Sequence, residues 1–331
     1  MISGKRGRDE GPKAKMAEAL LEIEHLRVVF GRLVAVDDLT LELGGGQLLG
    51  LIGPNGAGKT TTLRAAAGLQ PATTGQVRLF GHNVFEHPER VNHHLGFAPD
   101  TPGLYPTLTV ATFLEFIGRC YGLSPQMIRE RIDHWLERLW LADKREERIA
   151  ELSRGMRQRL AVARTLLPDP HVVLLDEPAA GLDPAGRVEF RQLLASLRDQ
   201  GKAIIVSSHI LADLAEYCTH IAIMGHGRLL RYGTVAEVAG AASNLRTMYH
   251  IQLARRVGDL AERLQPLLAD ESVTQLDFDG DRITLEYDRD REAAAELLRR
   301  LLGVGLPVAE FRAIEPDLEQ AYLRTGIRQV D

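Results

Sequence analysis

Cysteine is nearly absent: 331 residues hold two, Cys120 and Cys218. They lack metal-ligand spacing and suggest no disulfide framework, which argues against a stapled secreted scaffold. A reducing, cytosolic environment suits them. Excess positive charge is missing as well. A net charge of -5 and a pI near 6.1 argue against a surface built to neutralise nucleic-acid phosphates, so no nucleic-acid partner is expected. No apolar run approaches the ~18 residues that span a bilayer. The charged, Gly-rich segment Met1–Lys15 has no apolar h-region and reads as a disordered tail rather than a signal peptide. If this chain works at a membrane, another chain must carry it there.

What is present is the composition of a soluble globular protein, 45% hydrophobic and 26% charged, long enough for one large and one small domain. The chain is organised around Leu48-Leu49-Gly50-Leu51-Ile52, an apolar run that reads as a buried strand, followed by Gly53-Pro54-Asn55-Gly56-Ala57-Gly58-Lys59-Thr60-Thr61. Gly53, Gly58, Lys59 and Thr60 fit the P-loop template G-x-x-x-x-G-K-[ST], and a helical pattern from Thr61 to Ala67 follows. The residue types follow from the chemistry. Glycines let successive backbone N–H groups turn inward around a phosphate, and the helix behind adds the positive end of its dipole. Lys59 can reach the β- and γ-phosphates, and Thr60 can offer its hydroxyl to Mg²⁺. An ordinary glycine-rich turn is the competing reading, and the strand–loop–helix context speaks against it.

A second clue is Val172-Val173-Leu174-Leu175-Asp176-Glu177-Pro178. A carboxylate ending a buried strand can hold Mg²⁺ through its water shell, which is the role expected of Asp176. The adjacent carboxylate projects differently and can orient or deprotonate a water, the role expected of Glu177. Two acids in a solvated turn would be the bland alternative.

Along the chain, antiparallel strands are expected at 21–30 and 33–43, then a strand at 76–80. Helices are expected at 110–121, 124–138 and 155–167, with Thr109 and Ser124-Pro125 as start signals. Apolar strands at 172–175, 203–207 and 221–224 alternate with helices at 185–199 and 210–217. That order indicates a parallel sheet covered on both faces. Small residues at 240–243 read as a linker. Beyond them the order is strand 248–253, helix 257–268, strands 273–278 and 282–287, helix 291–302 and strand 307–311. A βαββαβ order of this kind predicts a small ferredoxin-like α+β domain. The expected division is a tail of 1–18, a nucleotide-binding domain of 19–240 with a helical part at about 100–165, and an accessory domain of 245–331.

Upstream of Asp176 lies Glu151-Leu152-Ser153-Arg154-Gly155-Met156-Arg157-Gln158-Arg159-Leu160. With it, the order of P-loop, Leu-Ser-x-Gly, Asp-Glu-Pro, Gly181-Leu182-Asp183-Pro184 and His209 after a strand resembles the ATP-binding cassette (ABC) family over about 21–238. The resemblance implies a P-loop NTPase core with an antiparallel β subdomain and a helical subdomain, an ATPase activity, and ATP and Mg²⁺ as ligands. It also implies a pair of cassettes, homodimer or close relatives, sandwiching two ATP molecules. On that likeness Ser153 and Gly155 open a helix facing the partner's γ-phosphate. Asp183 lies in the turn communicating between the sites, His209 senses the γ-phosphate, and Phe30 stacks on adenine, although a core position would suit Phe30 equally.

Three positions depart from the family pattern. Arg154 and Met156 stand where a glycine and a glutamine are usual. Asp100 replaces a glutamine that links Mg²⁺ and the water to the helical part; an aspartate there can still reach the metal's water shell. The signature and the trailing segment Glu315–Leu323 are similar to the ABC-2 exporter-type group. The function this implies is the ATPase subunit of a transporter, on the cytoplasmic face of the membrane beside a separate permease. A soluble ABC ATPase acting on ribosomes or DNA is the alternative, and a hydrolysis-dead regulatory cassette a third. His87, His93 and His94 match no metal-site spacing. Arg157, Arg159 and Arg164 read as a helix surface.

Overall fold

The computed structural model of the chain describes residues 19–209, 214, 216–241, 246–268, 272–288 and 291–314. The expected tail (1–18), most of the expected helix 210–217 and the segment Glu315–Leu323 lie outside the described residues or largely so. Two compact units emerge, one up to Tyr232 and one from Gly233 to Gln329.

The first unit begins with a long ribbon, β1 (Ala19–Phe30) and β2 (Leu33–Gly44), paired antiparallel through a turn with Gly31 at φ 59°. Alternate residues Leu21, Ile23, Leu41 and Leu43 are buried, the period-2 pattern of a sheet with one covered face. β4 (Thr74–Leu79) pairs antiparallel with β1, and β5 (His82–Asn83) with β4, giving the order β2-β1-β4-β5.

The central sheet has the order β10-β9-β3-β8-β7-β6. Its strands are β3 (Leu48–Ile52), β6 (Leu95–Ala98), β7 (Val172–Leu175), β8 (Ala203–Ser208), β9 (His220–Gly225) and β10 (Arg228–Thr234). From β9 through β6 the pairing is parallel. β3 and β7 are buried along their whole length, as expected of strands covered on both faces. Because β3, β8 and β7 are adjacent and parallel, the loops leaving their C-terminal ends converge, which is where α/β sheets bind ligands.

Among the described residues this unit also holds the helices α1 (Lys59–Ala66), α2 (Pro88–Val91), α3 (Val110–Cys120), α4 (Pro125–Arg138), α5 (Arg154–Leu166) and α6 (Pro184–Asp199). The caps are those the sequence advertises: Thr109, Ser124, Ser153 and Asp183 each accept from the backbone N–H three residues on. α3 and α4 touch at Gly118, where an added Cβ would lie 2.7 Å from the Ile128 side chain. Arg164, expected on a helix surface, instead turns inward and donates to the Phe97 carbonyl of β6 at 3.0 Å. Cys218 is buried, and burial pushes its thiol far above the ordinary range, while Cys120 is exposed.

Three strands of this unit carry too little signal to be expected from sequence, the two-residue β5 among them. β6 is four residues with Gly96 inside it, where a Cβ would meet Thr165 and Pro170 at 2.8–2.9 Å. β10 is polar and largely exposed, as edge strands are. α1 starts at Lys59, two residues ahead of the expected Thr61.

The second unit holds α7 (Val235–Ala241), β11 (Arg246–Leu253), α8 (Leu260–Leu268), β12 (Val273–Asp279), β13 (Arg282–Asp288), α9 (Arg291–Gly303) and β14 (Val308–Ile314). The sheet order β12-β13-β11-β14, antiparallel throughout, is that of a ferredoxin-like domain. Tyr249, Ile251, Ile283 and Leu285 pack with Leu264, Leu297 and Leu301 in one core.

Gly75 has φ 84°, and a Cβ there would lie 2.2 Å from the His25 carbonyl oxygen. Replacing it by valine forces both a left-handed β-branched residue and a backbone clash. The expected cost is at least about 1–3 kcal/mol, read by calorimetry as a fall of roughly 2–10 °C in melting temperature. An unchanged melt would mean that β1 and β4 are not held this closely.

Candidate functional site

The P-loop is tight for identifiable reasons. At Gly53 a Cβ would lie 2.5 Å from the Met224 carbonyl oxygen, and at Gly58, with φ 101°, 2.5 Å from that of Ala35. No other residue fits either place. Gly56, at φ 80°, has open space around it, and Ala57 is buried. Gly58 caps α1 with no side-chain hydrogen bond, so the first backbone N–H groups of the helix have no side-chain acceptor at its cap. Pro54, Asn55, Gly56 and Thr60 are half-buried or exposed around this end of the helix, with Thr61 behind them. A loop of this shape can cradle an anion.

Lys59 is 6% exposed. Its Nζ donates to the carbonyls of Gly53 (2.6 Å) and Pro54 (3.3 Å) and lies 3.8 Å from Glu177 Oε1. Burial pulls its pKa below the ordinary lysine value, against the opposing pull of Glu177 and Asp176. The structure therefore brings the P-loop lysine and the expected base to one place.

Asp176 directly follows β7 and is 1% exposed. Ser207 Oγ on β8 donates to its Oδ1 at 2.6 Å, while Oδ2 is buried with no hydrogen-bond partner. A buried carboxylate oxygen left without a donor fits a cation or its bound water. Glu177, at φ 47°, turns the chain sharply, and its backbone N–H donates to the same Ser207 Oγ at 2.9 Å. Its Oε2 lies 3.0 Å from His209 Nδ1. Burial raises the Glu177 pKa, with His209 and Lys59 acting to lower it. A carboxylate poised this way can accept a proton from water.

Ser207 is the residue that sequence reasoning missed, taken only as the last of a strand. Its signal was a hydroxyl ending an otherwise apolar run.

The remaining expected residues group elsewhere. Ser153 caps α5, its Oγ accepting from Met156 N–H at 3.2 Å. Gly155 is pressed against the turn before α6: an added Cβ would lie 2.9 Å from the Gly181 carbonyl oxygen. Asp183 caps α6 and sits 3.8 Å from Arg159, whose guanidinium lies 5.2 Å from the Trp140 ring centroid. Phe30 is 47% exposed at the end of β1. Asp100 is exposed just beyond β6 and lines a cavity with Arg154, Arg157 and Gln158; the contacts of Asp176 and Glu177 do not include it. Of the histidines, His94 pairs with His171 (Nδ1 to Nδ1 3.2 Å), and among the described residues no cluster of three metal-ligating side chains occurs.

The sequence and the fold of the chain are similar to those of known proteins. The sequence profile of a family described as ABC transporter matches residues 36–180. The Nod factor export ATP-binding protein I of Ralstonia nicotianae is 37% identical over 94% of this chain and 95% of its own. The uncharacterized ABC transporter ATP-binding protein YxlF of Bacillus subtilis is 31% identical over 92% of this chain and 99% of its own. Among solved structures, an ATP binding subunit of an ABC transporter superposes with a TM-score of 0.63 at 30% identity, covering 67% of this chain and 92% of that one. CbiO1 of Clostridium perfringens, part of the ABC transporter complex cbiONQ, gives 0.60 at 26% identity, over 66% and 90%.

His209 holds the Glu177 carboxylate toward its charged form, so removing the imidazole removes an effect that lowers the Glu177 pKa. In His209→Ala the Glu177 carboxyl should therefore titrate at higher pH than in the parent, followed by carboxyl-carbon NMR. A shift downward would mean that the two side chains are not coupled.

Proposed function

This chain belongs to the ABC transporter ATP-binding family, and from that premise we propose that it is the nucleotide-driven subunit of an exporter, acting as one of a pair beside a separate permease. Its enzymatic activity is ATP hydrolysis. Among the described residues no helix is long and apolar enough to cross a membrane, so a membrane-spanning partner supplies the pathway. The observation that carries this reading is the Lys59–Glu177–His209 cluster beside the open Oδ2 of Asp176.

The P-loop from Gly53 to Thr61 binds the ATP phosphates, with Lys59 leaving its carbonyl acceptors for the β- and γ-phosphates. Phe30 stacks on the adenine. Thr60 and Asp176 would hold Mg²⁺, which would supply charge neutralisation on the phosphates. Glu177 receives the proton of the attacking water, and His209 keeps Glu177 ionised and in place. Ser153 and Gly155 present the N-terminal end of α5 to the γ-phosphate bound by the partner cassette, and Asp183 lies beside that contact. ATP thus joins two cassettes and its hydrolysis releases them, which shifts the permease between two states. Export follows the Nod factor export protein; the cargo contacts lie in the permease. The C-terminal unit is accessory to this cycle.

Two experiments test the scheme. Glu177→Gln should keep ATP binding and slow turnover by about 10²–10⁴, the usual effect of losing a positioned base; turnover near the parent value would remove Glu177 from that role. Ser153→Trp and Lys59→Ala should each be inactive alone. Mixed, they should recover activity through one intact composite site per heterodimer, and no recovery would argue that each chain completes its own site.

A further inference from the structure

Glu177 and His209 stand just past the ends of β7 and β8, and a second pair of titratable side chains stands where two strands of the same sheet begin. His94 and His171 are the residues immediately before β6 and β7, which pair in parallel from Leu95 and Val172 onward. Their Nδ1 atoms face each other at 3.2 Å, although 77 residues separate them in the chain. His171 and Asp176 bracket β7, about 17 Å apart along an extended strand, so this pair is distinct from the nucleotide site.

The surroundings hold both rings in place. The His94 carbonyl accepts from the backbone N–H groups of His171 (3.0 Å) and Val172 (2.9 Å), which ties the two strand starts through the main chain alone. Phe80, directly after β4, makes a T-shaped contact with each imidazole, its ring centroid 5.1 Å from that of His94 and 5.6 Å from that of His171. The carboxylate of Asp169, two residues before His171, is taken by Lys202, and among the described residues neither imidazole has an acidic partner. His93, next to His94 in sequence, packs instead against Tyr121, ring centroids 5.9 Å apart. Burial, with His171 and His93 adding to it, holds the His94 pKa below the ordinary histidine value. That ring therefore keeps its neutral, ligating form to lower pH.

A hydrogen bond from one Nδ1 to the other is the simple account of the 3.2 Å distance. It adds little to strand starts that the main chain already ties. The same distance fits a different partner. Two imidazole nitrogens, each about 2.0–2.1 Å from one Zn²⁺, stand roughly 2.8–3.4 Å apart for angles between a right angle and the tetrahedral angle. We propose that His94 and His171 form a two-imidazole site for a borderline first-row dication, Zn²⁺, Cu²⁺ or Ni²⁺, which clips the starts of β6 and β7 together with water in its remaining positions. Coordination uses both Nδ1 lone pairs, so each neutral ring then carries its proton on Nε2. The site needs no third side chain, in keeping with the lack of any three-ligand cluster among the described residues. Mg²⁺ prefers oxygen ligands and does not compete for it. Nothing in this assignment depends on the ATP-driven cycle.

The experiment is a calorimetric titration of the full chain with Zn²⁺, in excess Mg²⁺ to occupy oxygen sites and without nucleotide, which would itself chelate the metal. The parent should show one saturable site. His94→Gln and His171→Gln should each weaken it by at least about 10–100-fold, the scale on which even outer-shell partners of a metal matter. His93→Gln should bind as the parent does. Cu²⁺ in place of Zn²⁺ gives a direct count of ligands: nitrogen hyperfine structure in the electron paramagnetic resonance spectrum should report two imidazoles in the parent and one at most in His171→Gln. No saturable site, parent-like affinity in His171→Gln, or a copper spectrum that the substitution leaves unchanged would overturn the proposal and leave the pair as a hydrogen bond. The melt of each variant is recorded alongside. Should His94→Gln not fold, His171→Gln decides alone, because the His171 side chain is exposed.

Discussion

One hydroxyl holds the site together. Ser207 Oγ, fully buried at the end of β8, donates to Asp176 and accepts from the backbone of Glu177. This works only because β8 lies between β3 and β7, with Leu175 in register with Val206. The consequences are separable. One oxygen of Asp176 is satisfied and the other is left open, a buried acceptor whose chemistry suits a cation. The chain is also pinned where it must adopt φ 47° at Glu177, a conformation costing about 1–3 kcal/mol that persists only when its surroundings fix it. That turn aims the glutamate sideways at His209 and Lys59 rather than along the strand.

The electrostatics of the cluster are set by competition. Burial opposes charge on both Lys59 and Glu177, and each partially restores the other's charged form. At 3.8 Å the pair is close but not locked, because the ammonium is already held by two P-loop carbonyls. An arrangement in which a cation is retained by neutral acceptors, and not by a tight ion pair, can release it to a phosphate at modest cost.

Much of this was legible in the sequence, and the limits are physical. Motifs fixed in spacing, such as Gly53 to Thr60, report local backbone requirements, and capping residues such as Thr109 and Ser124 mark helix starts because their oxygens satisfy orphan N–H groups. The ferredoxin-like order of the second unit followed from period and turn signals alone. Ser207 was not legible as a site residue, since its importance depends on which strand lies beside it. Nor was the burial of Arg164, which looked like surface until β6 supplied a carbonyl. β6 itself, four residues with a central glycine, is a strand only because β7 is beside it. Asp100 and Arg154, over fifty residues apart, read as two unrelated oddities until the fold put them around one cavity.

The scarcity of cysteine has a use of its own. With Cys218 sealed in the interior and its thiol resistant to ionisation, the thiolate chemistry of this chain is confined to Cys120, at the end of α3 in the helical part. A maleimide dye or spin label would therefore attach at a single defined place without any engineering, giving a native reporter of how the helical part moves during turnover.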